Sequence, residues 1–418
     1  MAISFPDVGE DVPLLEGHRG TGTASALWTF GNVIISVLGT GVLGLPYAFK
    51  VSGWAVTSAA MLFCGYVSYY SMMLLVKCKI ELADQEHPTI SRSLGDLGNF
   101  THGNIGRTVV DIVQLIAQIG SCISFFIFIG QNMSSIFTGT IQSYVIILSL
   151  LPFQVLLTWV RSLPKLAPFS TFATFCNILA LALVIKDDVD NGLDFHKVKA
   201  YTNFRAMFFC FGVGLYCFEG IPMTFSLEAS MRNPRRFGKV LVLAFSLIGL
   251  IYITFGYLGC LAYQEKTLDI ITLNLPNDWL TIVVKVGLCI ALFFTFPVMM
   301  IPVYEIFEGW IINWDQNSVL PRPNSQKYLS RGLHGVLVLT IGFVAIWVPE
   351  FGAFISVVGS TVCAMLALVL PAFFHMQIFK NNLSILQISV DLLLITCGVI
   401  FAIYGTYDAL LDMYRSRE

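Results

Sequence analysis

Long apolar runs, separated by short polar stretches, are the dominant pattern along this chain of 418 residues. A helix that crosses a bilayer needs about 20 consecutive apolar residues, and the runs reach that length, so the pattern predicts an all-α membrane protein. No stretch between the runs is long enough for a second domain, so we expect one membrane domain (24–418) after a polar tail (1–23). The eleven predicted transmembrane helices cover residues 24–49, 53–76, 107–138, 141–160, 166–186, 203–228, 237–263, 279–308, 330–348, 351–376 and 385–409.

Composition supports the membrane assignment and excludes several functions. Hydrophobic residues make up 56% of the chain and charged residues only 12%, whereas soluble domains carry about 25% charged residues. The net charge of −2 gives no reason to expect nucleic acid as a partner. The ten cysteines lie mostly in apolar runs, and the six histidines show no metal-ligand spacing. We therefore expect no disulfide framework, no metal site and no cofactor.

Residues 38–49, LGTGVLGLPYAF, interrupt the first predicted span with three glycines and a proline. An interior glycine costs a helix roughly 1 kcal/mol relative to alanine, and an interior proline about 3 kcal/mol. A packing kink is one explanation, because small residues let neighbouring helices approach closely. The sixth span is interrupted in the same way, at FGVGLYCFEGIPMTF (211–225). The two interruptions are five spans apart. Because a unit with an odd number of spans leaves the chain on the opposite side of the membrane, the second unit has inverted topology. The two interrupted spans therefore predict the inverted repeats and discontinuous helices of a secondary transporter.

The two interruptions together predict a binding site for a small zwitterion. A half-helix that restarts at Pro46 presents free N–H groups and the positive end of its dipole, which suits a carboxylate. Half-helices that end near Leu38 and Phe211 present free carbonyls, which suit an ammonium group or another cation. An α-amino acid carries both groups a few ångströms apart, although a carboxylate without an amine would also suit the first half-helix.

Glu219 follows the second interruption and places a carboxylate at membrane depth, where it costs at least ~2.5 kcal/mol. Two interpretations stay open. Glu219 is either a proton site that also contacts a substrate ammonium, or a carboxyl group that stabilises the break by accepting hydrogen bonds from the backbone. Other charged residues are weaker candidates, because Asp391 lies outside the repeat pair, Asp111 lies near a helix end, and Lys285 can extend to the surface.

Polar residues on two further spans are candidates for a cavity wall. Gln114, Gln118 and Ser121 lie about one turn apart on the third span, where they either line a cavity or, as is commoner, join helices. Thr295 lies beside Pro297 in the eighth span, where a polar contact to the substrate and a plain kink both fit the sequence.

Three segments resemble the amino acid/auxin permease family, particularly its plant vacuolar amino acid exporters and animal lysosomal proton-coupled transporters. They are GTGVLGLPYAF in the first span, FEGIPMTFSLEASMRNPRRF after the second break and TFPVMMIPVYEIFE in the eighth span. The resemblance implies eleven transmembrane helices in a LeuT-like fold, with 5+5 inverted repeats and broken helices 1 and 6. It also implies proton-coupled movement of small neutral amino acids of the alanine or proline type.

Site residues follow from the interruptions and the resemblance together. Sodium-coupled relatives carry asparagine at the position of Ile35, so this chain is expected to couple to protons. Glu219 is the candidate proton-coupling residue. The candidate substrate-binding residues are Ser36, Gly39, Thr40, Gly41, Tyr216, Phe218 and Thr295.

The N-terminal tail carries an acidic di-leucine pattern, with Glu10 followed by Leu14 and Leu15. Such sorting signals are read by a receptor, so a coat adaptor is an expected partner and a vacuolar or lysosomal membrane the expected location. The basic segment MRNPRRFGK (231–239) lies between the sixth and seventh spans. Because positive charge concentrates on the cytosolic side, we expect a cytosolic N-terminus and, with eleven spans, a lumenal C-terminus.

The predicted function is proton-coupled export of small neutral amino acids from an acidic vacuole or lysosome to the cytosol, by alternating access. Alternatives are an amino acid sensor on the same fold and a permease for auxin or another organic acid. An enzyme is not expected, because no paired carboxylates and no Ser/His set lie at membrane depth.

Overall fold

The computed structural model describes residues 22–84, 93–158, 163–190, 198–315, 323–348, 350–380 and 382–415. These residues form helices joined by short loops, and the β structure among them is one isolated bridge between Ala24 and Met231. The sorting pattern of Glu10, Leu14 and Leu15 lies outside the described residues.

The described fold is an all-helical membrane fold. Seven of its helices are long and apolar enough to cross a bilayer, and the bent pair at the first interruption adds an eighth. Two shorter apolar helices, Ser143–Leu157 and Arg331–Trp347, lie where the fourth and ninth spans are predicted. The count of eleven transmembrane helices therefore stays a prediction.

The first repeat runs from the first interruption to the fifth predicted span. Its elements are α1 (Ala26–Val37), a 3₁₀ turn (Thr40–Gly44), α2 (Leu45–Ser52), α3 (Trp54–Asp84), α4 (Leu94–Ile136), α5 (Ser143–Leu157) and α6 (Leu163–Asp190). The Ser25 hydroxyl begins α1 by accepting a hydrogen bond from the N–H of Trp28 (3.2 Å). The chain bends by 50° between α1 and the 3₁₀ turn, which confirms the first predicted interruption.

The second repeat starts at the second interruption. Its elements are α7 (Phe204–Cys217), a 3₁₀ turn (Ile221–Met223), α8 (Thr224–Ser230), α9 (Phe237–Tyr263), α10 (Trp279–Asp315), α11 (Pro323–Trp347), α12 (Phe351–Val358) and α13 (Leu370–Ile378). Two π-helical stretches, Gly359–Cys363 and Met365–Val369, connect α12 to α13. Helices α14 (Ile385–Ile400) and α15 (Thr406–Arg415) follow outside the repeat pair.

The second interruption lies further along the chain than predicted. Helix α7 remains helical through the GVG segment (212–214) and ends at Cys217, not near Phe211. The reason is helix packing, since a Cβ atom on Gly212 would lie only 2.6 Å from the carbonyl oxygen of Ser356. Glycine in this segment allows a close helix contact, and the helix stops one turn later.

Hydrogen bonds at both ends of the interrupted segments show that the segments run antiparallel. At one end, the N–H of Ala24 donates to the carbonyl of Ser230 (3.0 Å), and the N–H of Arg232 donates to the carbonyl of Ala24 (2.9 Å). At the other end, the N–H of Trp54 donates to the carbonyl of Lys199 (3.1 Å). The start of the first segment thus lies beside the end of the sixth, and its end lies beside the start of the sixth. This is the inverted arrangement that the spacing predicted.

Other helices enclose the interrupted pair. Helix α9 packs against α1 and α2, α3 packs against α7, and α4 packs against α10 and α12. Irregular backbone at membrane depth is tolerated only where protein buries it or where it lines a cavity. The packing therefore places both interruptions where a binding site can form.

Candidate substrate-binding site

The two interruptions meet at a cavity of about 140 Å³. Helices α4 and α10 complete its wall through Gln118, Ser121, Phe125 and Met299. A larger recess of about 350 Å³ lies between α4, α5 and α11, but neither interruption lines it. The smaller cavity is therefore the candidate site.

Most of the residues predicted for the site lie around this cavity. Their contact with a substrate stays a prediction. The cavity-lining residues among them are Ser36, Gly39, Thr40, Gly41, Tyr216 and Glu219.

Phe218 and Thr295 are not among the residues that line the cavity, contrary to expectation. The ring of Phe218 is buried on the other side of the break, 5.0 Å from the ring of Tyr252 and 5.9 Å from that of Phe245. Burial among apolar rings stabilises a phenylalanine more than a polar cavity does. The Thr295 hydroxyl donates to the carbonyl of Ala291 (2.8 Å) inside α10, so its hydrogen bond is satisfied within its own helix.

The first interruption offers backbone donors to the cavity. The 3₁₀ turn begins at Thr40, and the first amides of a helical turn have no partner within it. Helix α2 continues directly from this turn, with Pro46 as its second residue. The positive end of this half-helix therefore begins at Thr40, beside the cavity and six residues before Pro46, where the sequence predicted the restart.

Glu219 and Gln118 both line the cavity, and each carries a buried acceptor oxygen. The Oε2 atom of Glu219 accepts a hydrogen bond from the thiol of Cys363 (3.3 Å). The Oε1 atoms of Glu219 and Gln118 are buried and have no hydrogen-bond partner among the described residues. A buried acceptor without a donor is costly, so the site favours a ligand that donates hydrogen bonds.

Tyr216 is held against the cavity by a chain of hydroxyl groups. The Ser124 hydroxyl donates to the carbonyl of Ser121 (2.7 Å). The Tyr216 hydroxyl therefore donates to Ser124 Oγ, which lies 2.7 Å away. This contact joins α7 to α4 and fixes one wall of the site.

Sequence reasoning missed several residues that build the site. Ser124 follows Ser121 by one helical turn, so helical periodicity could have included it. Cys363 lies 144 residues from Glu219 in the sequence, and an apolar run gives no local signal for such a contact. Met299 likewise reaches the cavity only through the packing of α10.

The weaker charged candidates lie away from the cavity. Asp391 is buried and pairs with Nδ1 of His375 (2.6 Å). Asp111 pairs with an arginine one turn earlier (3.9 Å). Lys285 does not extend to the surface as expected, because it is buried and donates to Ser135 Oγ (3.2 Å).

Curated plant proteins are similar to this chain along nearly its whole length. The family described as "Transmembrane amino acid transporter protein" matches residues 22–411. The Arabidopsis thaliana protein "Amino acid transporter ANT1" is 41% identical over 406 residues, which cover 94% of each chain. "Amino acid transporter AVT3C", from the same plant, is 39% identical and aligns over 98% of this chain and 95% of its own length.

Solved transporter structures share the fold. A Na⁺-coupled sialic acid symporter in its outward-open state superposes with a TM-score of 0.57 at 12% identity, over 94% of this chain and 90% of the symporter. MhsT in complex with L-phenylalanine gives a TM-score of 0.52 at 12% identity, over 91% of this chain and 98% of MhsT. These likenesses establish the LeuT-like fold.

Proposed function

Because this chain belongs to the transmembrane amino acid transporter protein family, and is thus a transporter and not an enzyme, we propose that it carries small neutral amino acids by proton-coupled alternating access. The observation that carries this proposal is that hydrogen-bond donors of the backbone and acceptor oxygens of side chains belong to residues around one cavity. Residues of the first interruption, with their free backbone amides, line it together with Glu219 and Gln118, whose Oε1 atoms are buried and have no hydrogen-bond partner among the described residues.

A zwitterion satisfies both sets of groups. Its carboxylate would accept hydrogen bonds from the amides at Thr40 and Gly41, helped by the positive end of the half-helix. Its ammonium group would donate to the Oε1 atoms of Glu219 and Gln118. The volume of about 140 Å³ is below the roughly 300–1,000 Å³ of sites for drug-sized ligands, which favours alanine or proline over aromatic amino acids.

Glu219 is the proposed coupling residue. Its carboxyl group is enclosed in the bundle without a cationic side chain within salt-bridge distance among the described residues. An unpaired carboxylate is costly in such a site, so a proton or the substrate ammonium must neutralise it. Loading and release of that proton would link the amino acid to a pH gradient.

The proposed location is the vacuolar or lysosomal membrane, with the N-terminus cytosolic and the C-terminus lumenal. The motivating features are the tail pattern of Glu10, Leu14 and Leu15 and the basic segment 231–239. Each pH unit across the membrane is worth about 1.4 kcal/mol per proton. Two units would therefore support roughly a hundredfold amino acid gradient, which is sufficient for export to the cytosol.

Uptake into proteoliposomes tests the function and the role of Glu219 together. With an imposed pH gradient, wild-type protein should move radiolabelled alanine and proline from the acidic side, and unlabelled alanine should compete. Glu219→Gln should abolish gradient-driven flux while the protein still folds. Glu265→Gln, in the exposed loop after α9, is the matched control and should behave as wild type.

Each alternative gives a different result in this assay. A sensor on the same fold would bind alanine without flux, and an organic acid permease would transport auxin without competition from alanine. Undiminished gradient-driven flux in Glu219→Gln would remove this residue from the coupling mechanism.

A further inference from the structure

The hydroxyl of Tyr252, on α9, connects the ends of the two interrupted helices. It lies 3.1 Å from the carbonyl oxygen of Val37 and 3.1 Å from that of Cys217. Val37 is the last residue of α1, and Cys217 is the last residue of α7. The Tyr252 side chain is fully buried. One hydroxyl group thus contacts both points at which the helices stop.

These two carbonyls need a donor. Carbonyls in the last turn of a helix have no partner within it, and lipid offers none. The Val37 carbonyl also receives the N–H of Gly39 (2.9 Å), which leaves its second lone pair for Tyr252. At the end of α7, the Tyr252 hydroxyl is the donor that the described residues provide to the Cys217 carbonyl.

Carbonyls at such positions are natural cation ligands. In transporters with discontinuous helices, the C-terminal ends of half-helices coordinate the coupling cation, because hard cations prefer oxygen ligands. A phenolic proton placed between two carbonyl oxygens brings partial positive charge to the same point. No charged ion is then required to hold the two helix ends together.

We infer that Tyr252 is a positioning residue that takes the place of a metal cation between the ends of α1 and α7. Its hydroxyl proton is shared by the carbonyls of Val37 and Cys217, and this makes substrate binding independent of Na⁺. The inference rests on the proposed function in one respect, that the amino acid binds at the cavity between these ends.

The packing around Tyr252 holds its hydroxyl in place. The Phe218 ring contacts the Tyr252 ring at 5.0 Å and an interplanar angle of 61°, and it also stacks on Phe245 at 5.9 Å. Phe218 follows Cys217 directly, so the end of α7 is joined to α9 by the hydrogen bond to Cys217 and by the aromatic contact of Phe218. The same contacts explain why Phe218 is turned away from the cavity.

Removal of one oxygen atom tests the inference. Tyr252→Phe keeps the ring and deletes the donor. Tyr257→Phe is the matched control, because it lies on the same helix, its ring contacts Phe49 and Trp54, and its hydroxyl has no hydrogen-bond partner among the described residues. Alanine uptake by each protein is measured in proteoliposomes, in NaCl and in choline chloride, under the same pH gradient.

The expected result is a cation dependence that appears only in one variant. Wild type and Tyr257→Phe should give equal rates in both salts, within about twofold. Tyr252→Phe should lose at least about tenfold in choline chloride and recover at least about threefold in NaCl, because Na⁺ can then bind the free carbonyl pair. Equal rates for Tyr252→Phe and wild type, or an equal loss in both salts, would overturn the inference.

Thermal unfolding separates this inference from the proposed function. The melting temperature of wild-type protein should be the same in NaCl and choline chloride, whereas NaCl should raise that of Tyr252→Phe. Wild-type protein that transports no amino acid would refute the proposed function, and the melting comparison would still test Tyr252. The melting temperatures of wild-type protein in the two salts are also a test by themselves. A higher melting temperature of wild-type protein in NaCl than in choline chloride would contradict the role of Tyr252.

Discussion

Gly41, in the first interruption, lies against residues at the end of α7. A Cβ atom at this position would lie 2.8 Å from Sγ of Cys217 and 3.1 Å from Cδ1 of Tyr216. Both neighbours are fixed by hydrogen bonds to other helices. The Cys217 carbonyl accepts from the Tyr252 hydroxyl, and the Tyr216 hydroxyl bonds to Ser124. Any side chain at position 41 would therefore displace the Cys217 thiol and crowd the Tyr216 ring beside the cavity.

Gly41→Val should raise the KM for amino acid uptake at least about fivefold or abolish uptake, because overpacking in an enclosed site costs about 1–3 kcal/mol. Gly31→Val on α1 is the control, since a Cβ there meets no atom within 4 Å. The measurement is initial uptake rate against substrate concentration, normalised to protein in the membrane. An unchanged KM in Gly41→Val would argue against this cavity as the binding site.

At the scale of elements, α7 and the π-helical stretch after α12 touch through their backbones. A Cβ atom on Gly359 would lie 1.8 Å from the carbonyl oxygen of Gly212. The stretch that begins at Gly359 also carries Cys363, the thiol donor to Glu219. Short π-helical stretches are frequent at functional sites. Here one stretch contains both Gly359, which contacts α7 at Gly212, and Cys363, which donates to the proposed coupling residue Glu219.

Gly359→Ala should lower the melting temperature and reduce gradient-driven uptake, because the backbones must separate to admit the methyl group. Overpacking of this kind costs about 1–3 kcal/mol. Gly332→Ala on α11 meets no atom within 4 Å and should leave the melting temperature unchanged or slightly higher, as alanine favours a helix. A Gly359→Ala protein as stable as wild type would show that this contact is not tightly packed.

A second element contact joins the loop after α9 to α12. The Oδ2 atom of Asp269 accepts a hydrogen bond from the N–H of Phe351, the first residue of α12 (2.7 Å). Burial raises the pKa of the Asp269 carboxyl group above its ordinary value, and the N–H of Phe351 opposes this rise. The loop lies outside the membrane-spanning helices, on the side that the proposed orientation assigns to the acidic lumen.

The raised pKa of Asp269 predicts greater stability in acid. Between the ordinary pKa of aspartate, about 3.9, and the raised value, the folded protein binds more protons than the unfolded chain. The free energy of unfolding therefore falls as the pH rises through this window. Asp269→Asn should flatten this dependence in melting curves recorded from about pH 4 to pH 7, whereas Glu265→Gln in the same loop should not. An unchanged slope in Asp269→Asn would assign the pH dependence to other groups.

At the scale of the whole molecule, the antiparallel pair of interrupted segments lies inside a bundle of longer helices. This arrangement suits alternating access, because the two repeats can rock about a site that both of them line. The direction of transport depends on the membrane in which the molecule is placed, so the sorting pattern in the tail bears on function.

Leu14→Ala combined with Leu15→Ala should move the protein from the vacuolar membrane to the cell surface, if a coat adaptor reads the tail. The measurement is the distribution of a fluorescently tagged full chain between the two membranes. Phe5→Ala combined with Val8→Ala, in the same tail but outside the pattern, should not change the distribution. Retention of the double leucine variant in the vacuolar membrane would contradict a role for this pattern.

The sequence by itself determined the fold class, the inverted repeat and the approximate position of the first interruption. These properties are local, because the length of an apolar run sets a membrane span and glycine or proline disfavours a helix wherever it stands. The interrupted pattern and the family resemblance together marked Gly39, Thr40, Gly41 and Glu219, and the structure places all four at one cavity.

Only the tertiary structure decided where the second helix stops and which side chains face the cavity. The GVG segment stays helical because it packs against α12, and Phe218 faces away because it packs against α9. Contacts such as Cys363 with Glu219 and Tyr252 with Val37 join residues more than a hundred positions apart. Local pattern cannot specify them, since the direction of a side chain at a broken helix depends on the distant helices that surround it.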